Sequence, residues 1–365
     1  MTALPSPGAS RPVLAHLPTP VEAADRLGAA LGLAGGRLWV KRDDCTGLAG
    51  GGNKARKLEA LCADALARGC TTLVTAGGPQ SNHVRMTAAA ANKLGLGCTV
   101  LLMGDEAAVP TGNVVLDLLL GPEIVWVGSL GYAEADAAVG AEAERLTAAG
   151  RPAYPIPIGG ATPVGSQGYV RAAAELDEQL DDVALVVTAD GSGGTHAGLA
   201  AGFGDFARVL GVDIGARADL ETALPVLAGA AASVAGRPAP AGVPVVDHRH
   251  VGPGYAVPTP AGREAAGMAA RLEGLIVDPV YSAKALAALV TAARAGTLPD
   301  GKVVFLHTGG MPALFAEGMT AWHKATPDGP APAPGDEPGH ELSGATPDIA
   351  PRAAASLARA RPSRP

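Results

Sequence analysis

In the stretch LAGGGNKARKLEAL (residues 48–61), the glycines Gly50 to Gly52 run into Asn53 and Lys54, and a helical pattern begins at once. Glycines ahead of a helix let the backbone approach a ligand closely, often an anion. Yet Lys54 and Lys57 fall in the first helical turn, where the helix dipole disfavours positive charge. A lysine desolvated at such a turn has a lowered pKa and can form a Schiff base with a carbonyl. Read as ordinary structure, it is a solvated surface lysine.

Two other stretches carry polar groups at comparable junctions. DGSGGTHAG (190–198) follows an apolar run and opens a helix. Its amides, including those of Gly193 and Gly194, can ring a phosphate with the hydroxyls of Ser192 and Thr195. The dinucleotide pattern G-x-G-x-x-G fails because His196 occupies its last position, and the Walker pattern lacks its lysine. The alternative is a bare glycine turn. In QSNHVR (80–85), Ser81, Asn82 and His83 can aim a hydroxyl, an amide and an imidazole at a carboxylate, or can form an ordinary polar N-cap. No carboxylate–histidine set has metal-ligand spacing, and no G-x-S-x-G elbow occurs. An aldehyde-capturing lysine and a separate phosphate cup are together what pyridoxal phosphate requires, with Lys57 facing the phosphate as a point charge.

These junctions need elements to hold them. LWV (38–40), TTLVTA (71–76), CTVLLMG (98–104), EIVWVG (123–128), ALVVTAD (184–190), RVLGVD (208–213) and KVVFLHT (302–308) read as short buried strands. Between them lie helical patterns. One after Lys54 has Leu58, Leu61, Cys62, Ala65 and Leu66 on a single stripe, and another runs through residues 85–95. Such alternation predicts an α/β fold with parallel sheets covered by helices on both faces. Sites in such sheets lie beyond the carboxyl ends of the strands, where TAGGPQSNH, TADGSGGTH and LHTGG all fall. Residues 215–244 predict one helix with loose flanks. The segment from about Pro327 onward is rich in proline and poor in large apolar residues, the composition of a disordered tail.

With 365 residues the chain has room for about two domains, and a net charge of −7 argues against nucleic acid or an anionic membrane as partner. No signal peptide and no bilayer-spanning apolar run is apparent. Four cysteines without a C-x-x-C pair read as reduced core thiols of a cytoplasmic protein rather than zinc ligands.

KRDDCTGLAGGGNKARKLEAL, GGPQSNHVRMTAAAA, GSGGTHAGL, VGPGYAVPTPAG, LEGLIVDPVYSAKAL and FLHTGGMPALFA, in this order, resemble the D-cysteine desulfhydrase / 1-aminocyclopropane-1-carboxylate deaminase family. The resemblance runs from about residue 15 to 320. It implies fold type II of the pyridoxal-phosphate enzymes: two open, twisted, mostly parallel sheets flanked by helices, with the cofactor in the cleft between two domains. The large cofactor-binding domain would be 1–52 plus 163–325, the small one 53–162, and 326–365 a disordered tail. The resemblance further implies a homodimer. It makes Lys54 the lysine that captures the cofactor, Asn82 the partner of its 3′-oxygen, and Ser81 and His83 neighbours of the substrate carboxylate. Ser192, Gly193, Gly194 and Thr195 would hold the phosphate with Lys57. Tyr255 and Tyr281 match the family's two active-site tyrosines.

The ring-opening deaminases of that family carry Glu after the second tyrosine and Leu in H-L-G-G, whereas this chain has Ser282 and Thr308, as the desulfhydrases do. A carboxylate at the pyridine nitrogen keeps it protonated and strengthens the electron sink; a hydroxyl does so less. That suits β-elimination of a good sulfur leaving group. The expected activity is therefore a carbon–sulfur lyase acting on D-cysteine, with Lys54 as general base, Tyr281 or Tyr255 protonating the leaving group, and pyruvate, ammonia and sulfide as products. The alternatives are an L-cysteate sulfo-lyase, the cyclopropane deaminase, and a non-catalytic protein that binds pyridoxal phosphate or another phosphate ligand.

Overall fold

The computed structural model of the protein describes residues 11–316 except Ala107. The tail expected from residue 326 lies outside the described residues. Among the described residues ten strands form two sheets: β1 (Val21–Ala23), β2 (Leu38–Lys41), β3 (Thr72–Gly77), β4 (Gly97–Leu102), β5 (Glu123–Trp126), β6 (Ala153–Ile156), β7 (Val183–Asp190), β8 (Val209–Asp213), β9 (Val245–Asp247) and β10 (Lys302–Leu306). The first sheet has the order β1-β2-β10-β7-β8-β9 and the second β5-β4-β3-β6. Every pairing is parallel except β1 with β2.

Parallel strands need crossover connections, and here helices supply them, packing both faces of the first sheet. One core gathers Leu38, Val40, Val187, Val303 and Phe305 against Ala265, Ala269, Leu286 and Leu289; another gathers Val186, Val209, Val304 and Leu306 against Tyr169, Ala173 and Leu176. In the helix Lys54–Ala67 the apolar stripe is buried at Leu58, Leu61, Cys62 and Ala65, but Leu66 is 43% exposed and stands off it. The 215–244 region contributes the helix Leu220–Val234. Of the four cysteines, Cys62 and Cys98 are core residues, whereas Cys45 is exposed and Cys70 half-buried, so the expectation of core thiols holds for two. No helix among the described residues is long and apolar enough to cross a membrane.

β4, β5 and β10 stop two residues earlier than their apolar runs, because the chain there turns into loops. The ends of β2, β3, β7 and β10 bring residues 42–54, 78–82, 191–195 and 307–310 to the carboxyl side of their sheets.

Candidate active site

A cavity of about 320 Å³ opens where these loops meet, lined among others by Lys54, Ser81, Asn82, His83, Ser192, Gly193, Thr195, Tyr255, Tyr281 and Thr308. Ten of the thirteen residues singled out in the sequence thus share one wall system. Lys57, Gly194 and Ser282 are buried behind it.

The glycine tract before Lys54 has a steric cause. Gly51 has φ +79°, and a Cβ there would sit 1.8 Å from the Asp44 carbonyl oxygen, so no other residue fits. Asn53 then ties three loops together: its N–H donates to the Thr308 carbonyl (3.0 Å), its Nδ2 donates to Thr195 Oγ1 (3.1 Å), and its Oδ1 accepts from Lys54 Nζ (3.0 Å). Lys54 Nζ meets no carboxylate among the described residues. Burial pulls its pKa down to about 8, opposed by the charge of Asp278 and reinforced by Arg85. Lys57, one turn on, donates to the Gly159 carbonyl (3.1 Å), and burial and the charge of Lys54 push its pKa far below the usual lysine value.

The phosphate cup can be tested against these groups. The helix Gly194–Phe203 starts from Gly193, whose side-chain-less position provides no cap, so the amides of its first turn are free for a ligand. A Cβ at Gly194 would lie 2.8 Å from Lys57 Nζ, so the backbone here comes as close to the ammonium as glycine allows. Amides, two hydroxyls and a buried, under-neutralised lysine make a donor set suited to a phosphate dianion, and a half-neutral amine lines the same cavity. The residues fit pyridoxal phosphate.

His83 has a fixed tautomer. Thr75 Oγ1 gives its only proton to the Ile156 carbonyl (2.8 Å), so it must accept from His83 Nε2 (3.0 Å). Burial, with the charges of Lys54 and Lys57, drives the His83 pKa well below its ordinary value. The ring is therefore neutral, with a bare, buried Nδ1 that has no partner among the described residues. A bare nitrogen offers a carboxylate no donor; it accepts one. Replacing Thr75 with valine strands the buried Nε2–H, and a loss of about 1–2 kcal/mol in urea unfolding is expected. An unchanged midpoint would contradict this tautomer.

Ser81 caps the helix Asn82–Leu94, its Oγ accepting from the Val84 N–H (3.3 Å), and so keeps its own proton for the cavity. Tyr255 and Tyr281 share a 2.5 Å hydrogen bond between their hydroxyls, and burial raises both pKa values, so both phenols hold their protons. Of the two hydroxyls expected at a ring nitrogen, only that of Thr308 lines the cavity. Ser282 Oγ instead donates to Asp278 Oδ1 (2.5 Å) and accepts from the Asp278 N–H (2.8 Å).

Asp278 escaped the sequence reading although it stands in the quoted DPVYSAK; an acid followed by proline looks like a turn. Arg217 and Tyr132 were missed as well. The Arg217 guanidinium lies 4.9 Å over the Tyr132 ring and donates to the Ser192 carbonyl (3.3 Å), joining the 216–219 loop to the cavity wall. No short motif marks either residue.

A family model described as pyridoxal-phosphate dependent enzyme matches residues 13–309. D-cysteine desulfhydrases of Salmonella schwarzengrund (strain CVM19633) and Salmonella newport (strain SL254) are each 42% identical over 312 residues, covering 82% of this chain and 93% of theirs. Among solved structures, an ACC deaminase homologue is similar with a TM-score of 0.78 and 36% identity, over 84% of this chain and 93% of that one. The processed form of threonine deaminase isoform 2 from Solanum lycopersicum has a TM-score of 0.56 at 19% identity, over 84% and 81% of the two chains, a likeness of fold.

Proposed function

This chain belongs to the pyridoxal-phosphate dependent enzymes, and from that premise we propose that it eliminates the sulfur substituent of D-cysteine, releasing hydrogen sulfide, pyruvate and ammonia. Its fold is that of fold type II, and its cofactor is pyridoxal phosphate. The observation that carries the reading is the likeness to D-cysteine desulfhydrases over most of both chains, joined to a cavity that holds Lys54 and two protonated tyrosines. We take the large domain as residues 1–52 plus 163–325 and the small one as 53–162, with the cofactor between them, in a cytoplasmic homodimer.

Bound pyridoxal phosphate supplies an aldehyde that captures an amine and a ring that draws electrons from the adjoining carbon. Lys57, the amides of residues 193–195 and the hydroxyls of Ser192 and Thr195 would hold its phosphate. Asn82 would donate to its 3′-oxygen, and Thr308, ahead of Ser282, would present a hydroxyl to its ring nitrogen. Lys54 Nζ, neutral above about pH 8, removes the proton from substrate Cα. The electrons of that bond form the Cα–Cβ double bond as the Cβ–S bond breaks, and the sulfur leaves with its electron pair. The Tyr255–Tyr281 pair holds a proton within the cavity for that sulfur. Water then hydrolyses the released enamine to pyruvate and ammonia.

Ser81, whose hydroxyl keeps its proton for the cavity, would serve the substrate carboxylate. The likeness to D-cysteine desulfhydrases favours D-cysteine over L-cysteate. Ring-opening deamination is the second reading, favoured by the ACC deaminase homologue among the similar structures. Purified protein loaded with pyridoxal phosphate should release pyruvate and sulfide from D-cysteine faster than it releases pyruvate from L-cysteate, and ketobutyrate from aminocyclopropane carboxylate should be slower still. Ketobutyrate as the dominant product would overturn the assignment in favour of the deaminase. No product from any of them would favour a binding protein.

A further inference from the structure

We propose that Asn113 and Arg85 are positioning residues that lock the side-chain amide of Asn82, turning its carbonyl away and leaving its NH2 to the cavity. Asn82 Oδ1 accepts from Arg85 Nη1 (3.1 Å) and from Asn113 Nδ2 (3.1 Å), which occupies both lone pairs. A rotation of the amide by half a turn would set its NH2 against two donors. That orientation is anchored in turn by groups whose roles are fixed. Asn113 Nδ2 also donates to the backbone carbonyl of Gln80 (3.0 Å), an acceptor only, so the Asn113 amide cannot be reversed. Its Oδ1 accepts from Arg85 Nη1 (2.6 Å), a donor only.

Asn113 itself is fully buried at the start of the helix Asn113–Leu120, and its backbone N–H donates to Gln80 Oε1 (2.9 Å). Arg85 lies one turn after Asn82 on the helix Asn82–Leu94, and its Nη2 donates to the Gly51 carbonyl (3.0 Å). The network therefore spans from the glycine tract before Lys54 to the residue we assign to the cofactor's 3′-oxygen. An anionic oxygen there meets an N–H donor held in place before binding, so no amide has to be ordered when the cofactor arrives. The inference deepens the proposed function and rests on its assignment of Asn82.

The test uses full-length protein carrying Asn113→Ala, Asn82→Ala or both, loaded with pyridoxal phosphate. Two quantities are read: the dissociation constant of pyridoxal phosphate, and the pH at which the visible band of the bound cofactor titrates. Asn113→Ala is expected to weaken binding ~10-fold, the order of one misplaced hydrogen bond to a charged group, and to move the titration in the same direction as Asn82→Ala. In the Asn82→Ala background the second substitution should change neither quantity by more than ~2-fold. Equal losses in both backgrounds would show that Asn113 acts on structure alone and overturn the proposal. Should Asn82→Ala leave both quantities at wild type, the assignment of Asn82 fails and the proposal with it, while fixation of the cofactor on Lys54 by borohydride would leave the rest of the functional reading standing. Asn113→Ser guards against a misfolded alanine variant, because serine suits a helix start but is too short to reach Asn82. It should shift binding and titration as Asn113→Ala does, and a wild-type result from folded Asn113→Ser overturns the proposal.

Discussion

Lys54→Ala is expected to abolish turnover and to yield a protein on which borohydride no longer fixes pyridoxal phosphate. Two roles disappear together. The amine that captures the aldehyde is lost, and so is the base for the Cα proton, which alone is worth about 10²–10⁴-fold. Lys57 is no substitute, since it does not line the cavity beside Lys54 and its Nζ, assigned to the phosphate, already donates to the Gly159 carbonyl. The pH dependence follows from burial. A lysine at its ordinary value near 10.5 would be almost wholly an ammonium at pH 8, whereas Lys54 is lowered to about 8 and is then half amine. Cofactor-free wild type should accordingly capture pyridoxal phosphate faster as pH rises toward and through 8, then level off. Absorbance in the visible range follows the capture, and mass spectrometry after reduction locates it. A substantial rate of product formation by the alanine variant would remove the basis of the mechanism.

The central strands were legible because burial on both faces writes them as apolar runs, as in Val183–Asp190 and Lys302–Leu306. The three strands without such a signal, β1, β6 and β9, are all at sheet edges. Edge strands have few neighbours to bury against, and theirs read VEA, AYPI and VVD, two of them only three residues long. Pro155 in β6 is tolerated for the same reason, because an edge leaves one side of the backbone unpaired. The site was legible where function imposes a local pattern: glycines before Lys54, glycines and hydroxyls around Ser192. It was illegible where a residue acts through partners distant in the chain. Asn113 meets Asn82 across 31 positions and Arg217 meets Tyr132 across 85, and nothing in either neighbourhood announces the partner. The direction in which a hydroxyl points is equally hidden. Ser282 and Thr308 look alike as sequence, yet one turns to Asp278 and the other to the cavity.

Asp278→Asn is expected to destabilise the protein by about 3 kcal/mol and to shift its pH profile downward. Asp278 is wholly buried and collects four donors: the N–H groups of Val280 and Tyr281 on Oδ2 (2.9 Å each), and the N–H (2.8 Å) and hydroxyl (2.5 Å) of Ser282 on Oδ1. A carboxylate has acceptors on both oxygens, but an amide has one acceptor and two donors. In either orientation of the asparagine, one pair of buried donors faces an NH2 group. Hydrogen bonds to charged groups are each worth about 1.5–3 kcal/mol, part of which the local backbone recovers by relaxing. The lost pair includes either the Tyr281 amide, which sets the phenol beside Tyr255, or the Ser282 hydroxyl, so damage to the site accompanies damage to stability. The electrostatic consequence is separable. Asp278 raises the Lys54 pKa against the larger effect of burial; without its charge the lysine becomes a free amine at lower pH. Capture of pyridoxal phosphate by folded Asp278→Asn protein should therefore plateau at a lower pH than in wild type, even as the unfolding midpoint in urea falls. A variant that unfolds earlier but keeps the wild-type capture profile would mean that the charge of residue 278 is not felt at Lys54. A variant with the wild-type midpoint would mean that the four donors find other partners, and Asp278 would lose its place as the anchor of the Tyr281 loop.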